Sequence, residues 1–140
     1  YEAATLGAAR AIGSTHCLLA HSRRALAVGV LDEAGLAAFT AHDDRGFGPA
    51  EQAVVRYSAR LSTTPRAMTD ADSQELRDLG FTDRQIVDIT LAASLRNYFS
   101  RALQALAVPV DAVPGLPPGT AAALIRLAGD SEESSSPADG

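Results

Sequence analysis

Apolar positions along this 140-residue chain recur at three- and four-residue steps, and no stretch alternates apolar with polar residues as a half-buried strand does. The pattern predicts an all-α chain. A first helix is expected over 2–12, rich in Ala and Leu, with Gly13 as its stop. Ser14 suits the N-cap of a second helix that continues to about Val28, where Gly29 ends it. Leu31, Asp32 and Glu33 open a third, with Leu36, Ala37 and Phe39 as its buried positions. Residues 42–46 form a polar loop whose His42, Asp43 and Asp44 read as solvated. Pro49 lies in the first turn of a fourth helix, with Ala50, Val54, Tyr57 and Leu61 as its apolar stripe. Thr63, Thr64 and Pro65 break it, and Thr69 with Asp70 caps a short helix to Leu79 that Gly80 closes. The capping-box pattern from Thr82 to Gln85 opens the longest helix. That helix should reach about Val108, with Leu91, Leu95, Tyr98, Phe99, Ala102, Leu103 and Leu106 on one side and Tyr98 in the core. Pro109 ends it, Pro114, Pro117 and Pro118 keep the next stretch extended, and a short last helix fits 120–128. The division expected is a domain of about six helices over 1–111, a Pro-rich segment with a short helix over 112–128, and a disordered acidic tail over 129–140.

Composition narrows the chemistry. With 46% hydrophobic and 21% charged residues the chain suits one globular domain, and alanine, about a fifth of it, favours helix. No apolar run reaches the roughly 20 residues of a membrane span, so no membrane span or signal peptide is expected. The chain opens on Tyr1 rather than Met, so residues are expected to precede it. Most of the net charge of −5 sits in the tail, where Asp130, Glu132, Glu133 and Asp139 face no base. Elsewhere 13 acids meet 12 bases, and no basic patch suggests nucleic acid. Every base is arginine, which excludes Schiff-base, pyridoxal-phosphate and P-loop lysine chemistry in this chain. One cysteine excludes an internal disulfide and a multi-cysteine zinc site, and a lone thiol fits the cytoplasm.

The candidate chemistry lies in residues 13–21, Gly-Ser-Thr-His-Cys-Leu-Leu-Ala-His, which hold Cys17 and two of the three histidines. On a helix Ser14, Cys17 and His21 fall at i, i+3 and i+7, one stripe. Cys17 lies in the first turn, where unpaired backbone N–H groups and the helix dipole favour a thiolate. His21, one turn on, is placed to take the thiol proton directly or through one water. Glu2 lies twelve positions before Ser14 and reads either as a first-turn charge on a surface helix or as an acid that orients His21. His16 points to another side of the helix and suits a hydrogen-bonding or substrate-facing role. Cys and His one turn apart also suit a transition metal, a reading the chain does not require.

Written as spacing, the pattern Glu-x11-Ser-x2-Cys-x3-His resembles the core motif of the alkyl hydroperoxidase D-like family, within the carboxymuconolactone decarboxylase superfamily. Family peroxidases carry Glu-x11-Cys-x2-Cys-x3-His. Glu2, Cys17 and His21 match the acid, the second cysteine and the histidine; His16 matches a histidine common between the cysteines; Ser14 replaces the first cysteine. A second stretch, residues 95–101, is similar to the family's Asn-Tyr-x-x-Arg segment through Asn97, Tyr98 and Arg101. The resemblance covers about 1–111. It implies an AhpD-like helical bundle with the motif at the start of the second helix, no cofactor or metal, and a homo-oligomer. It also implies a hydroperoxide substrate attacked by Cys17. Because Ser14 cannot form a disulfide, an external thiol must reopen the oxidised cysteine. Two alternatives stand beside this single-cysteine peroxidase. One is a cofactor-free acid–base enzyme of the decarboxylase type using His21 and Glu2; the other is a non-catalytic helical binding protein. Asn97 and Arg101 read as structural or oligomer contacts.

Overall fold

The computed structural model describes residues 1–133, and among these it has seven α-helices and no strand. They are α1 (Glu2–Ala11), α2 (Thr15–Ala27), α3 (Glu33–Thr40), α4 (Pro49–Thr63), α5 (Asp70–Asp78), α6 (Asp83–Ala105) and α7 (Thr120–Glu133). No described helix is long and apolar enough to cross a membrane.

The helix α1 is the axis of the bundle. Its residues from Glu2 to Ala9 are all buried, and it packs on α2, α4, α6 and α7. Small side chains let four neighbours approach at once, which is what an Ala-rich central helix provides. The closest approach is at Gly7, where a Cβ would lie 2.5 Å from the Val55 carbonyl oxygen of α4. This contact also resets the inner face of α4. Of the expected stripe Ala50, Tyr57 and Leu61 are half-buried, with Tyr57 packed against the core; the fully buried residues are Ala53, Val54, Val55, Ser58 and Ser62. Only Val54 belongs to both sets, because a backbone-to-backbone contact needs small residues where a wider groove would take large ones. In α3, Leu36 and Phe39 are buried as expected, but Ala37 faces solvent.

Local signals place the helix ends well. Gly13, at φ 64, turns the chain from α1 into α2, with its N–H donating to Arg10 and that of Ser14 to Ala9. Capping boxes open α5 at Thr69 and Asp72 and α6 at Thr82 and Gln85. The Thr69 N–H, donating to Asp72, holds that carboxyl below the usual carboxylate range.

Four expectations fail towards the C-terminus. The helix α6 turns Ile86, Ile89, Ala93 and Ser100 inward and leaves Leu91, Leu95, Tyr98 and Leu106 exposed. Tyr98, expected in the core, is 75% exposed. The helix also stops at Ala105, because Ala107 adopts φ 49 and its N–H returns to Gln104. Nor is 111 a boundary: α7 buries Leu124, Leu127 and Ala128 in the common core against α1, α2 and α3. That helix continues past Ala128 to Glu133, so the first residues of the acidic tail, expected to be disordered, are helical. Residues 134–140 lie outside the described residues.

Candidate active site

The buried start of α1 and the first turns of α2 lie side by side, so Glu2 meets His21 across the helix pair. Glu2 is 5% exposed. Its Oε2 is 2.8 Å from His21 Nδ1 and its Oε1 is 2.8 Å from Arg24 Nε. The carboxylate is therefore fully engaged, and a buried carboxylate requires such partners. The Nδ1–H of His21 donates to it, which fixes the imidazole as the tautomer whose Nε2 carries a lone pair. Arg96 of α6 approaches that lone pair and donates to it from Nη1 at 3.3 Å. The Tyr1 ring stands 6.0 Å from the imidazole. The expected acid–histidine pairing of Glu2 and His21 is present.

Cys17 has a different partner from the one its spacing suggested. The thiol is 3% exposed and hydrogen-bonds Ser100 of α6 at 3.1 Å. No hydrogen bond joins it to His21 among the described residues. Sharing a helix face aligns the two Cβ atoms, but the imidazole is drawn aside to Glu2 and Arg96. In a thiolate only the Ser100 hydroxyl is left to donate. Ser14 occupies the N-cap of α2, is buried, and makes no side-chain cap bond; its hydroxyl has no partner. It is not bonded to Cys17.

Both halves open onto one cavity of about 370 Å³, lined by His16, Cys17, His21, Arg96 and a largely apolar remainder that includes Leu19, Phe99 and Leu103. Residues 108–111 and Val113 form one wall. The turn at Ala107 directs them back over α2, and His16 Nε2 donates to the Pro109 carbonyl at 3.1 Å. His16 thus fastens that wall. Gln104 ties the same end of α6 to the α1–α2 turn, donating to the carbonyls of Ile12 and Gly13 at 3.1 and 3.2 Å. A larger groove of about 1,020 Å³ beside Arg23, Leu26 and Pro117 is more open and holds no cysteine or histidine. Among the described residues no three His, Cys, Asp or Glu side chains gather as a metal site.

The arrangement offers three functions in one small chamber: a base with a defined lone pair, a thiol beside a hydroxyl donor, and a cation. No family model, curated protein or solved structure matches the chain.

Of the five residues singled out from the sequence, Cys17, His21 and His16 line the cavity, Glu2 stands directly behind His21, and Ser14 stands apart. Asn97 is structural: its Nδ2 donates to Ser62 Oγ at 2.8 Å and to the Ala93 carbonyl at 2.9 Å. Arg96 and Ser100 were missed. A signal for them exists, because Ile86, Ile89, Ala93, Arg96 and Ser100 follow one helical face. Polar residues interrupting a face that starts apolar mark a buried polar site.

Proposed function

We propose that the chain reduces hydroperoxides with Cys17 as its single nucleophile and an external thiol as reductant. The observation that carries this reading is the Glu2–His21 pair opening onto the cavity that Cys17 lines. His21 Nε2 takes the thiol proton, through a bridging water where the two are not in direct contact. The thiolate attacks the outer peroxide oxygen, the O–O bond breaks, and the alkoxide leaves with the proton held by His21. Cys17 becomes a sulfenic acid and the peroxide an alcohol. One external thiol condenses with the sulfenic acid and releases water; a second displaces Cys17 and leaves as the external disulfide. Ser14 takes no part in this resolution, since a hydroxyl forms no disulfide.

The exposed apolar residues Leu91, Leu95 and Tyr98 on α6 suit a second copy of the chain, so the reading includes a homo-oligomer. The test follows consumption of an organic hydroperoxide with and without a thiol reductant, in wild type, Cys17→Ser and His21→Ala, with a sulfenic-acid trap read by intact mass. Thiol-dependent turnover that vanishes without Cys17 and falls about 10²-fold without His21 is the expected result. No trappable sulfenic acid and no turnover would sink it.

One observation favours a second reading. Cys17 bonds Ser100 and not His21, so the Glu2–His21 pair stands complete without the thiol. A cofactor-free acid–base enzyme of the decarboxylase type would use that pair alone, and Cys17→Ser would then retain its activity on small organic acids or lactones.

A further inference from the structure

Arg96 is the member of the cavity that a base and a thiol do not need. It projects from the inner face of α6, and its Nε is buried with no hydrogen-bond partner. Its Nη1 rests on a neutral nitrogen, His21 Nε2, at 3.3 Å, and the guanidinium lies 5.6 Å from the Phe99 ring centre. No described carboxylate forms an ion pair with it. Glu2, the nearest buried acid in the network, has both oxygens committed to His21 and Arg24. Asp111 lines the same cavity and is exposed to solvent rather than bonded to Arg96. A guanidinium carries five N–H donors in a planar fork that matches a carboxylate. Here a cation lines a small cavity whose other walls are mostly apolar, with one donor idle and another spent on a weak acceptor.

We infer that Arg96 is the anchor for a carboxylate on the substrate, and that the carboxylate draws Arg96 away from His21 Nε2 as it binds. Binding the correct molecule then exposes the base. The substrate class is a small organic acid with an apolar body, sized to a cavity of about 370 Å³. That is the low end of the roughly 300–1,000 Å³ of small-molecule sites. On the function proposed above, on which this inference rests for its chemistry, the same molecule carries the hydroperoxide.

The test is arranged so that binding is read without turnover. Hexanoate and its neutral counterpart hexanamide are each titrated against the full chain. The melting temperature and the rate of Cys17 alkylation by iodoacetamide are followed. Hexanoate should raise the melting temperature and slow alkylation saturably, with hexanamide at least about tenfold weaker. Arg96→Gln should remove that difference, Arg96→Lys should restore part of it, and Arg101→Ala, on the exposed side of α6, should keep it. Equal effects of hexanoate and hexanamide on wild type would overturn the inference, as would undiminished hexanoate binding by a folded Arg96→Gln. A second arm compares kcat/KM for a hydroperoxide bearing a carboxylate with that for tert-butyl hydroperoxide. Arg96→Gln should lower that ratio about tenfold, mainly through KM. Arg96-dependent hexanoate binding without any peroxide turnover would uphold the carboxylate site and reject the peroxidase reading.

Discussion

The two sides of α6 reverse the ordinary rule for a bundle helix. Its outer side carries Val87, Leu91, Leu95 and Tyr98, all more than half exposed. Its inner side begins as a normal core face with Ile86, Ile89 and Ala93, then turns polar at Arg96, Asn97 and Ser100. Polar groups turned into a protein cost stability unless each finds a partner. Asn97 and Ser100 are bonded, whereas Arg96 keeps an idle donor. Hydropathy summed over the whole helix therefore does not mark the side that faces inward. The first turns do, through Ile86 and Ile89, and the rest follows because a helix is rigid. The polar residues carried inward became the far wall of the site.

The sharpest way to break this comparison is at the network that the inner side completes. Glu2→Gln removes the charge that holds the His21 ring, and on the proposed peroxidase reading turnover should fall about 10²-fold. If the outer side joins copies of the chain as proposed, the double change Leu91→Ser, Leu95→Ser should leave turnover per chain within about twofold while lowering the mass seen by sedimentation. Equal losses in the two variants would mean the outer side also builds the site.

Two alanines of the same helix give the next largest contrast. Ala93 is fully buried and Ala102 is exposed. Ala93→Leu should cost about 1–3 kcal/mol by overpacking against the bundle, and Ala102→Leu less than about 0.5 kcal/mol. Urea unfolding of both variants measures the difference, and similar costs would refute the assigned orientation of α6.

Smaller effects should follow from single bonds. Asn97→Ala loses the bonds to Ser62 and to the Ala93 carbonyl and should cost about 1–2 kcal/mol by denaturant titration. At the end of the helix, Ala107 holds φ 49, a conformation that costs an L-residue roughly 1 kcal/mol. Ala107→Gly should therefore raise stability by about that amount, seen as a higher denaturation midpoint, while the wall held by His16 and Pro109 stays in place.

Much of the fold could be read along the chain. Gly13, Gly80, Pro49 and the two capping boxes act through their own backbone or through groups within a few residues, so the helix boundaries they mark are where they were expected. Glu2 and His21 were also legible, through the resemblance that their spacing with Cys17 bears to a known motif. The errors cluster where a helix meets a distant one. The inner face of α4 was legible only in part, because its fully buried residues answer to Gly7 on α1. The end of the chain was underestimated because Leu124, Leu127 and Ala128 have their reason for burial in α1, α2 and α3.

Cys17 divides the two kinds of knowledge most clearly. Its place in the first turn of a helix, one turn before His21, follows from local sequence, since helix geometry repeats every 3.6 residues whatever surrounds it. Its hydrogen bond goes to Ser100, 83 positions away, and the lone pair of His21 goes to Arg96, 75 positions away. Those partners depend on which side of α6 turns inward. That choice is a sum of packing and desolvation energies over several helices at once, and the periodicity of any single helix does not contain it.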